Sequence, residues 1–209
     1  MALDDLLDEH EQSERVLEWL RRNGAGLIGG ILLGLAAIGG WKWWESHQVT
    51  QAAQEASQYQ AAVDAIQAND PKAEARIKAL DPGLYHTLAS LQLARSQVAA
   101  SQRDAAIATL RAAKPSDPAL AQVVNARLAR LLVDAKQADA ALKLLEGVST
   151  PAALEIRGDA LFALGQRDRA RDTYQQALAK LDVASANRRV LELKLTEVGG
   201  TLAKPEAKS

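Results

Sequence analysis

The sequence contains no cysteine, few aromatic residues and almost no excess of charge of either sign. None of its 209 residues is cysteine, 4% are aromatic, and the formal net charge is −1. Without cysteine there are no disulfides, no thiol nucleophiles and no cysteine ligands for metals. A balanced charge gives no support to long-range attraction of nucleic acid. The abundance of alanine and other helix-favouring residues predicts closely packed helices rather than a sheet sandwich.

Reactive side chains are scattered along the chain. The three histidines, His10, His47 and His86, lie in separate segments, and no G-x-S-x-G, H-E-x-x-H or phosphate-loop motif is present. We therefore expect no catalytic residues, no cofactor and no metal site. A membrane-bound enzyme stays open as an alternative, which a cluster of buried polar side chains in one cleft would support.

One stretch near the start is long enough to cross a membrane. Residues 23–41 carry no charge, and a bilayer core of about 30 Å needs roughly 20 helical residues. The seven glycines in this stretch would weaken a buried helix of a soluble protein. A cleaved signal peptide fits poorly, because the bulky sequence WKWWES stands where small residues should precede the cleavage site. We predict an uncleaved membrane helix, flanked by interfacial tryptophans.

The flanking charges predict the orientation of this helix. Arg15, Arg21 and Arg22 precede it, whereas Lys42 is the only lysine or arginine in the twenty residues that follow. The side richer in lysine and arginine stays in the cytoplasm. The N-terminus is therefore expected inside, with the rest of the chain outside the cytoplasm.

Three glycines recur at intervals of four residues within the apolar stretch. Gly26, Gly30 and Gly34 share one helix face, where a second membrane helix can approach closely, although small residues are common in membrane helices in any case. The acidic tail before the stretch is either a solvated cytoplasmic segment or a docking segment for a cytoplasmic partner.

A six-residue motif occurs three times after the apolar stretch. It reads SQRDAA at Ser101–Ala106, KQADAA at Lys136–Ala141 and GQRDRA at Gly165–Ala170, at intervals of 35 and 29 residues. Recurrence near this period is typical of stacked helical hairpins, each of which buries its apolar face on its neighbours. We predict an all-α fold: a single N-terminal transmembrane helix followed by a solenoid of helical hairpins.

Polar residues mark the expected helix starts. Within the three motifs, Asp104, Asp139 and Asp168 are expected to be N-cap residues, because a carboxylate there accepts hydrogen bonds from unpaired amides. Four further starts pair a capping residue with a proline suited to the first helical turn. These are Asp70-Pro71, Asp81-Pro82, Asp117-Pro118 and Thr150-Pro151.

The repeats resemble the tetratricopeptide (TPR) motif over about residues 84–181. In the last repeat the pattern is carried by Gly158, Leu161, Gly165, Ala170, Tyr174 and Ala177. In TPR-like stacks, first-helix positions that do not pack between helices line a concave surface, which suits extended or helical peptides. By repeat alignment, the protein-binding groove is expected at Leu91, Arg95, Val98, Ala126, Arg130, Val133, Glu155, Asp159 and Phe162.

The whole chain resembles a narrower family, the YfgM family of ancillary subunits of the SecYEG protein-export channel. The resemblance rests on the sequence W-x-W-W-x-S-H-Q-V at Trp41–Val49, on LASLQLA at Leu88–Ala94, on KQADAALK at Lys136–Lys143 and on RGDA at Arg157–Ala160. It implies a periplasmic TPR-like domain beside the channel, which passes emerging client proteins to periplasmic chaperones, with the membrane-anchored chaperone PpiD as a close partner. It also implies a cytoplasmic stress-response regulator as a partner of the N-terminal tail, although no motif in this tail carries that interaction.

We therefore predict a single-pass protein of the bacterial inner membrane that is a non-enzymatic SecYEG subunit. The alternative is a membrane-anchored TPR scaffold for another envelope assembly, such as pilus or division machinery. The expected divisions are an acidic cytoplasmic tail (1–23), the transmembrane helix (24–44), connecting helices and the start of the solenoid (45–83), TPR-like repeats (84–181), a C-terminal capping helix (182–198) and a disordered tail (199–209).

Overall fold

A computed structural model describes residues 2–201 of the chain, with side chains from Ser13 onward. These residues form nine α-helices and no strand, which confirms the prediction of an all-α fold. Residues 202–209 of the predicted disordered tail lie outside the described residues. The helices are α1 (Ala2–Gln67), α2 (Ala73–Lys78), α3 (Leu84–Ala99), α4 (Arg103–Ala112), α5 (Pro118–Asp134), α6 (Ala138–Leu144), α7 (Pro151–Ala163), α8 (Arg167–Lys180) and α9 (Arg188–Glu197).

The chain divides into two units, Met1–Gln54 and Glu55–Ser209. In the first unit, the large apolar side chains from Leu27 to Ile38 are 45–74% exposed. Such an apolar helix is stable when lipid rather than water surrounds it, because all its backbone groups are bonded internally. Among the described residues, α1 is the one helix long and apolar enough to cross a bilayer. The prediction of a single apolar N-terminal helix is thus confirmed.

Tryptophan rings gather at the C-terminal end of this apolar stretch. Trp41 and Trp44 meet edge to face with ring centroids 5.8 Å apart, and Trp43 stacks on His47 at the same separation. Amphipathic rings of this kind favour the headgroup region of a bilayer. His47 also lies within hydrogen-bond distance of Gln51, at 3.2 Å, so its neighbours are polar or aromatic groups of its own helix.

The second unit is built from three helical hairpins, α3 with α4, α5 with α6 and α7 with α8. Helix α5 also packs against α4 and α7, and α9 packs on α8 at the end of the stack. Each hairpin turns through one residue with a left-handed backbone: Ser101 (φ 62°), Lys136 (φ 60°) and Gly165 (φ 74°). The threefold motif therefore encodes the turn between the two helices of each hairpin.

The prediction that Asp104, Asp139 and Asp168 are N-cap residues is wrong. The N-caps are the glutamines two positions earlier, because the left-handed residue turns the chain at once and the helix begins directly after the glutamine. The aspartates lie in the first helical turn instead. There a negative charge is still favoured, since it faces the positive end of the helix dipole.

Two of the four aspartate- or threonine-proline starts are confirmed. Asp117 accepts a hydrogen bond from the backbone amide of Leu120 at 2.8 Å, and Thr150 accepts one from Ala153 at 3.3 Å, each just before a proline in the first turn.

The other two starts are wrong. Helix α2 begins at Ala73 and α3 at Leu84, two residues after each proline, and neither has a side-chain cap. Asp70 instead accepts a hydrogen bond from the Lys72 amide within a turn, which uses the carboxylate before the helix begins.

Alanine supplies the contacts between helices. The alanines at 106, 129, 141, 160, 170 and 177 are fully buried, each on the face of its helix that meets a neighbour. Small side chains at these points allow the helices to approach closely, which accounts for the alanine-rich composition. One cluster of buried residues joins α3 to α7, a second joins α7 to α9, and a third joins the end of α1 to α2 and α3.

The close contact at Gly158 and the lengths of the helices account for two details of the repeat pattern. Gly158 of α7 lies against the ring of Tyr174, and a Cβ at this position would overlap the ring. A glycine is therefore required where α7 meets the ring of Tyr174 on α8. The middle-to-last interval of the motif is short because α6 (7 residues) and α7 (13 residues) are shorter than α4 (10 residues) and α5 (17 residues), which span the preceding interval.

Candidate protein-binding groove

A groove of about 450 Å³ lies on the face formed by α3, α4 and α5. Its floor is apolar, with buried Leu91, Ala94 and Leu110, and Val98 on its rim is 45% exposed. This volume falls in the range of binding pockets, which are typically apolar with a few polar groups that orient the ligand. The residues that line it are Leu91, Ala94, Arg95, Val98, Leu110, Arg127, Arg130, Leu131 and Asp134. We refer to this surface as the inner groove.

Three arginines border the inner groove. Within residues 13–201, Arg95 and Arg127 are exposed and make no hydrogen bond or ion pair. Arg130 contacts Glu155 of α7, but the separation is 3.4 Å and half of the arginine side chain is exposed. Because the contact is long and the arginine is half exposed, it holds the guanidinium group only weakly. All three guanidinium groups are therefore available to a ligand.

Four of the nine residues that repeat alignment assigns to a groove line the inner groove: Leu91, Arg95, Val98 and Arg130. The alignment misses a third arginine, Arg127. It lies three residues before Arg130 on α5, and residues three apart share one helix face. Helical spacing around Arg130 would have identified it.

The other five predicted residues lie elsewhere. Ala126 and Val133 are partly buried and pack against the core cluster that joins α3 to α7. Phe162 lies on α7, where the guanidinium carbon of Arg167 stands 5.6 Å from its ring centroid. Glu155 and Asp159, also on α7, are engaged by the C-terminal helix.

The C-terminal helix reaches α7 through one lysine. The Nζ of Lys194 donates to Glu155 Oε1 at 2.7 Å and to Asp159 Oδ2 at 2.8 Å, and the hydroxyl of Tyr174 donates to Asp159 Oδ1 at 2.7 Å. Burial lowers the pKa of Lys194, but the hydrogen bonds to Asp159 and Glu155 outweigh it, so the pKa lies above its ordinary value. Burial, followed by the hydrogen bond and charge of Asp159, raises the pKa of Tyr174 well above its usual range. At neutral pH Lys194 is therefore a cation and Tyr174 a neutral donor.

The inner face thus differs from repeat to repeat. On α3 and α5 it is open, apolar and basic, whereas on α7 its carboxylates are covered by α9. The part of the chain from Ser13 to Thr201 contains no group of three or more histidines or carboxylates suited to a metal ion. Absence of catalysis stays a prediction.

The chain is similar to known proteins over nearly its whole length. Residues 17–200 match the tetratricopeptide repeat-like domain family, which includes the apolar helix as well as the hairpins. An ancillary SecYEG translocon subunit of Escherichia coli (strain K12) is 35% identical over 200 residues, covering 91% of this chain and 97% of that protein. Proteins of the same name from Haemophilus influenzae and Aggregatibacter actinomycetemcomitans are 28% and 27% identical, each covering 82% of this chain and 89% of its own length. No solved structure matches significantly.

Proposed function

The chain belongs to the YfgM family of ancillary SecYEG translocon subunits, and on that premise we propose that it is itself a non-enzymatic subunit of this protein-export channel. The observation that carries the proposal is 35% sequence identity to such a subunit in an alignment that covers 91% of the chain, from the apolar helix through the last hairpin. The apolar helix anchors the protein in the membrane. The hairpin stack then offers the inner groove to other proteins. In this proposal the chain binds and positions proteins and catalyses nothing.

The proposal places the hairpin stack outside the cytoplasm. Support comes from the charges around the anchor, with three arginines before it and one lysine in the twenty residues after it. Protease added to intact spheroplasts tests this placement, with an epitope tag at either end of the chain. A tag after Ser209 should be digested in spheroplasts, whereas a tag before Met1 should be digested only after the membrane is broken. A protected C-terminal tag would refute the export function.

We propose that the anchor contacts the channel through its glycine face. Gly26, Gly30 and Gly34 lie on one side of α1, and apart from the adjoining backbone of α1 no atom of the described residues comes within 4 Å of a Cβ built at any of them. A photocrosslinking residue at Gly30 should form adducts with channel subunits. The matched control is Leu32, two residues away and therefore on roughly the opposite side of the helix. Equal adducts from both positions would count against a specific face.

The hairpin stack is proposed to link emerging client proteins to periplasmic chaperones, with a chaperone of the PpiD type as its close partner. Support comes from the family and from a groove that is open, partly apolar and bordered by free guanidinium groups. The acidic tail is proposed as the contact for a cytoplasmic stress-response regulator.

Affinity isolation from cells in mild detergent, followed by protein identification, tests these partnerships. Channel subunits and a membrane-anchored chaperone should co-isolate with the intact chain. A variant with Arg95 and Arg130 both changed to glutamate should lose the chaperone and keep the channel, because the anchor is unchanged. Recovery of pilus or division proteins without channel subunits would support the alternative, a scaffold for another envelope assembly.

A further inference from the structure

The charge of the inner groove indicates what kind of segment it accepts. We propose that the inner groove binds an extended segment of a partner protein and selects segments that contain both carboxylate and apolar side chains. This inference rests on the proposed function, since it specifies the chemistry of the partner. It adds Arg127 to the residues that recognise that partner.

The inner groove carries an excess of unneutralised positive charge. Arg95, Arg127 and Arg130 border a groove that contains a single carboxylate, Asp134. The first two have no partner within the described residues, and the third has only the long contact to Glu155. Three guanidinium groups around one small groove repel each other, and carboxylates from a ligand would relieve that repulsion. Arginine also holds a carboxylate through two parallel hydrogen bonds, which adds direction to the attraction.

In the last repeat, the equivalent surface is already occupied by α9, which binds it through a residue of opposite charge. Asp159 is the repeat equivalent of Arg95 and Arg130. Its carboxylate, together with that of Glu155, binds Lys194 of α9 at 2.8 and 2.7 Å. This end of the inner face therefore receives a segment through charge complementarity. Where the inner face carries arginine instead, a complementary segment must be acidic.

The apolar floor of the inner groove favours a protein segment over a lipid headgroup. The floor of the inner groove is formed by Leu91, Ala94 and Leu110, which are buried between helices. An anionic headgroup would be satisfied by exposed cations alone and has no use for an apolar floor beneath them. The chain after the anchor also has nearly balanced charge, since residues 45–209 hold 21 lysines and arginines against 19 aspartates and glutamates. A peptide with alternating acidic and apolar side chains satisfies both the arginines and the floor.

Binding of synthetic peptides to the purified full-length chain in phosphatidylcholine nanodiscs tests the proposal. Three fluorescent peptides are compared, in which leucine alternates with glutamate, glutamine or lysine. The glutamate peptide should bind about tenfold or more tightly than the glutamine peptide, and added salt should weaken it. The lysine peptide should bind most weakly. No translocon is present, so the result is independent of whether the chain joins the channel in cells.

Matched charge reversals identify the surface. The variant R95E/R127E leaves the Arg130–Glu155 pair intact and should lose the preference for the glutamate peptide while gaining affinity for the lysine peptide. The control R111E/R189E makes the same change of charge at exposed positions of α4 and α9 outside the inner groove, and should bind the glutamate peptide within about twofold of the unchanged chain. Gain of the lysine peptide also shows that R95E/R127E is folded.

Three results would overturn the proposal. The first is equal affinity for the glutamate and glutamine peptides, and the second is unchanged binding by R95E/R127E. The third is a chain that ignores all three peptides but binds phosphatidylglycerol vesicles through Arg95 and Arg127, which would make the occupant a lipid headgroup.

Discussion

Replacing Lys194 by methionine should release α9 from α7. Methionine keeps the length of the aliphatic stem but removes the two hydrogen bonds to Glu155 and Asp159. The lysine is 27% exposed and the carboxylates are 13% and 23% exposed, so the cluster lies between a surface pair and a buried one. Removing one partner of a fully buried pair costs about 3–5 kcal/mol and an exposed pair contributes about 0–1 kcal/mol. We therefore expect K194M to cost about 2 kcal/mol.

Hydrogen exchange of the full-length chain in detergent micelles measures this cost where it occurs. A loss of about 2 kcal/mol from the opening free energy corresponds to exchange about 30-fold faster for the α9 amides, at one decade per 1.36 kcal/mol. Amides in α3 and α4 should be unchanged, because α9 contacts only the far end of the stack.

A second ion pair of the same length provides the control. Lys78 lies 2.7 Å from Glu74 on α2, but their side chains are 72% and 61% exposed. K78M should therefore cost about 0.5 kcal/mol or less, although the broken contact is as short as that of Lys194. If K194M costs no more than K78M, burial does not strengthen the α9 cluster and the reasoning is wrong. In a double-mutant cycle, K194M and D159N should together cost less than the sum of the single changes, since they remove one interaction.

Three further predictions concern stability, each measured by urea unfolding of the full-length chain followed by circular dichroism. The pKa values of Tyr174 and Lys194 are raised in the folded chain. The stabilisation that these two groups contribute is therefore present below their ordinary pKa values of 10.0 and 10.5 and is lost as the pH rises above them. When the pH is raised from about 9 to about 11, the urea concentration at the unfolding midpoint should decrease, and it should decrease less in Y174F. An alkaline midpoint that does not change would contradict this. Alanine normally stabilises a helix by about 1 kcal/mol over glycine, but G158A should destabilise the chain by about 2 kcal/mol because its Cβ overlaps the ring of Tyr174; a stabilised variant would show that the ring moves aside freely. D117A should cost about 1 kcal/mol because it removes a capping hydrogen bond, and D104A about 0.4 kcal/mol because its carboxylate only interacts with the helix dipole. Equal costs would mean that the cap hydrogen bond contributes nothing beyond charge.

The sequence predicted helix starts where short-range chemistry decides them. Asp117 and Thr150 cap their helices because a polar side chain followed by proline acts within a single turn of backbone. Asp104 was displaced from its expected role by the left-handed turn at Ser101, a backbone conformation that serine adopts rarely. The chain closes each hairpin in the same way although only the last has glycine at the turn, so here the packing of the two helices overrides local preference.

The inner groove was predicted in part, and the missing part has a physical reason. Repeat alignment compares equivalent positions, so it found Arg95 and Arg130 but not Arg127, which has no arginine at the equivalent position of the first repeat. The pairing of Glu155 with Lys194 was beyond the reach of alignment, because α9 lies outside the repeats. The position of α9 on α7 depends on how the buried leucines of α9 fit the last hairpin, and this fit is a property of the tertiary structure.

The placement of the aromatic rings near the anchor has a spectroscopic consequence. All four tryptophans, Trp19, Trp41, Trp43 and Trp44, belong to the first unit, and the hairpin stack contains none. Ultraviolet emission excited at the red edge of protein absorbance, where tyrosine does not absorb, therefore comes from the first unit alone. A blue shift of that emission reports bilayer insertion, and it stays unaltered when the hairpins melt.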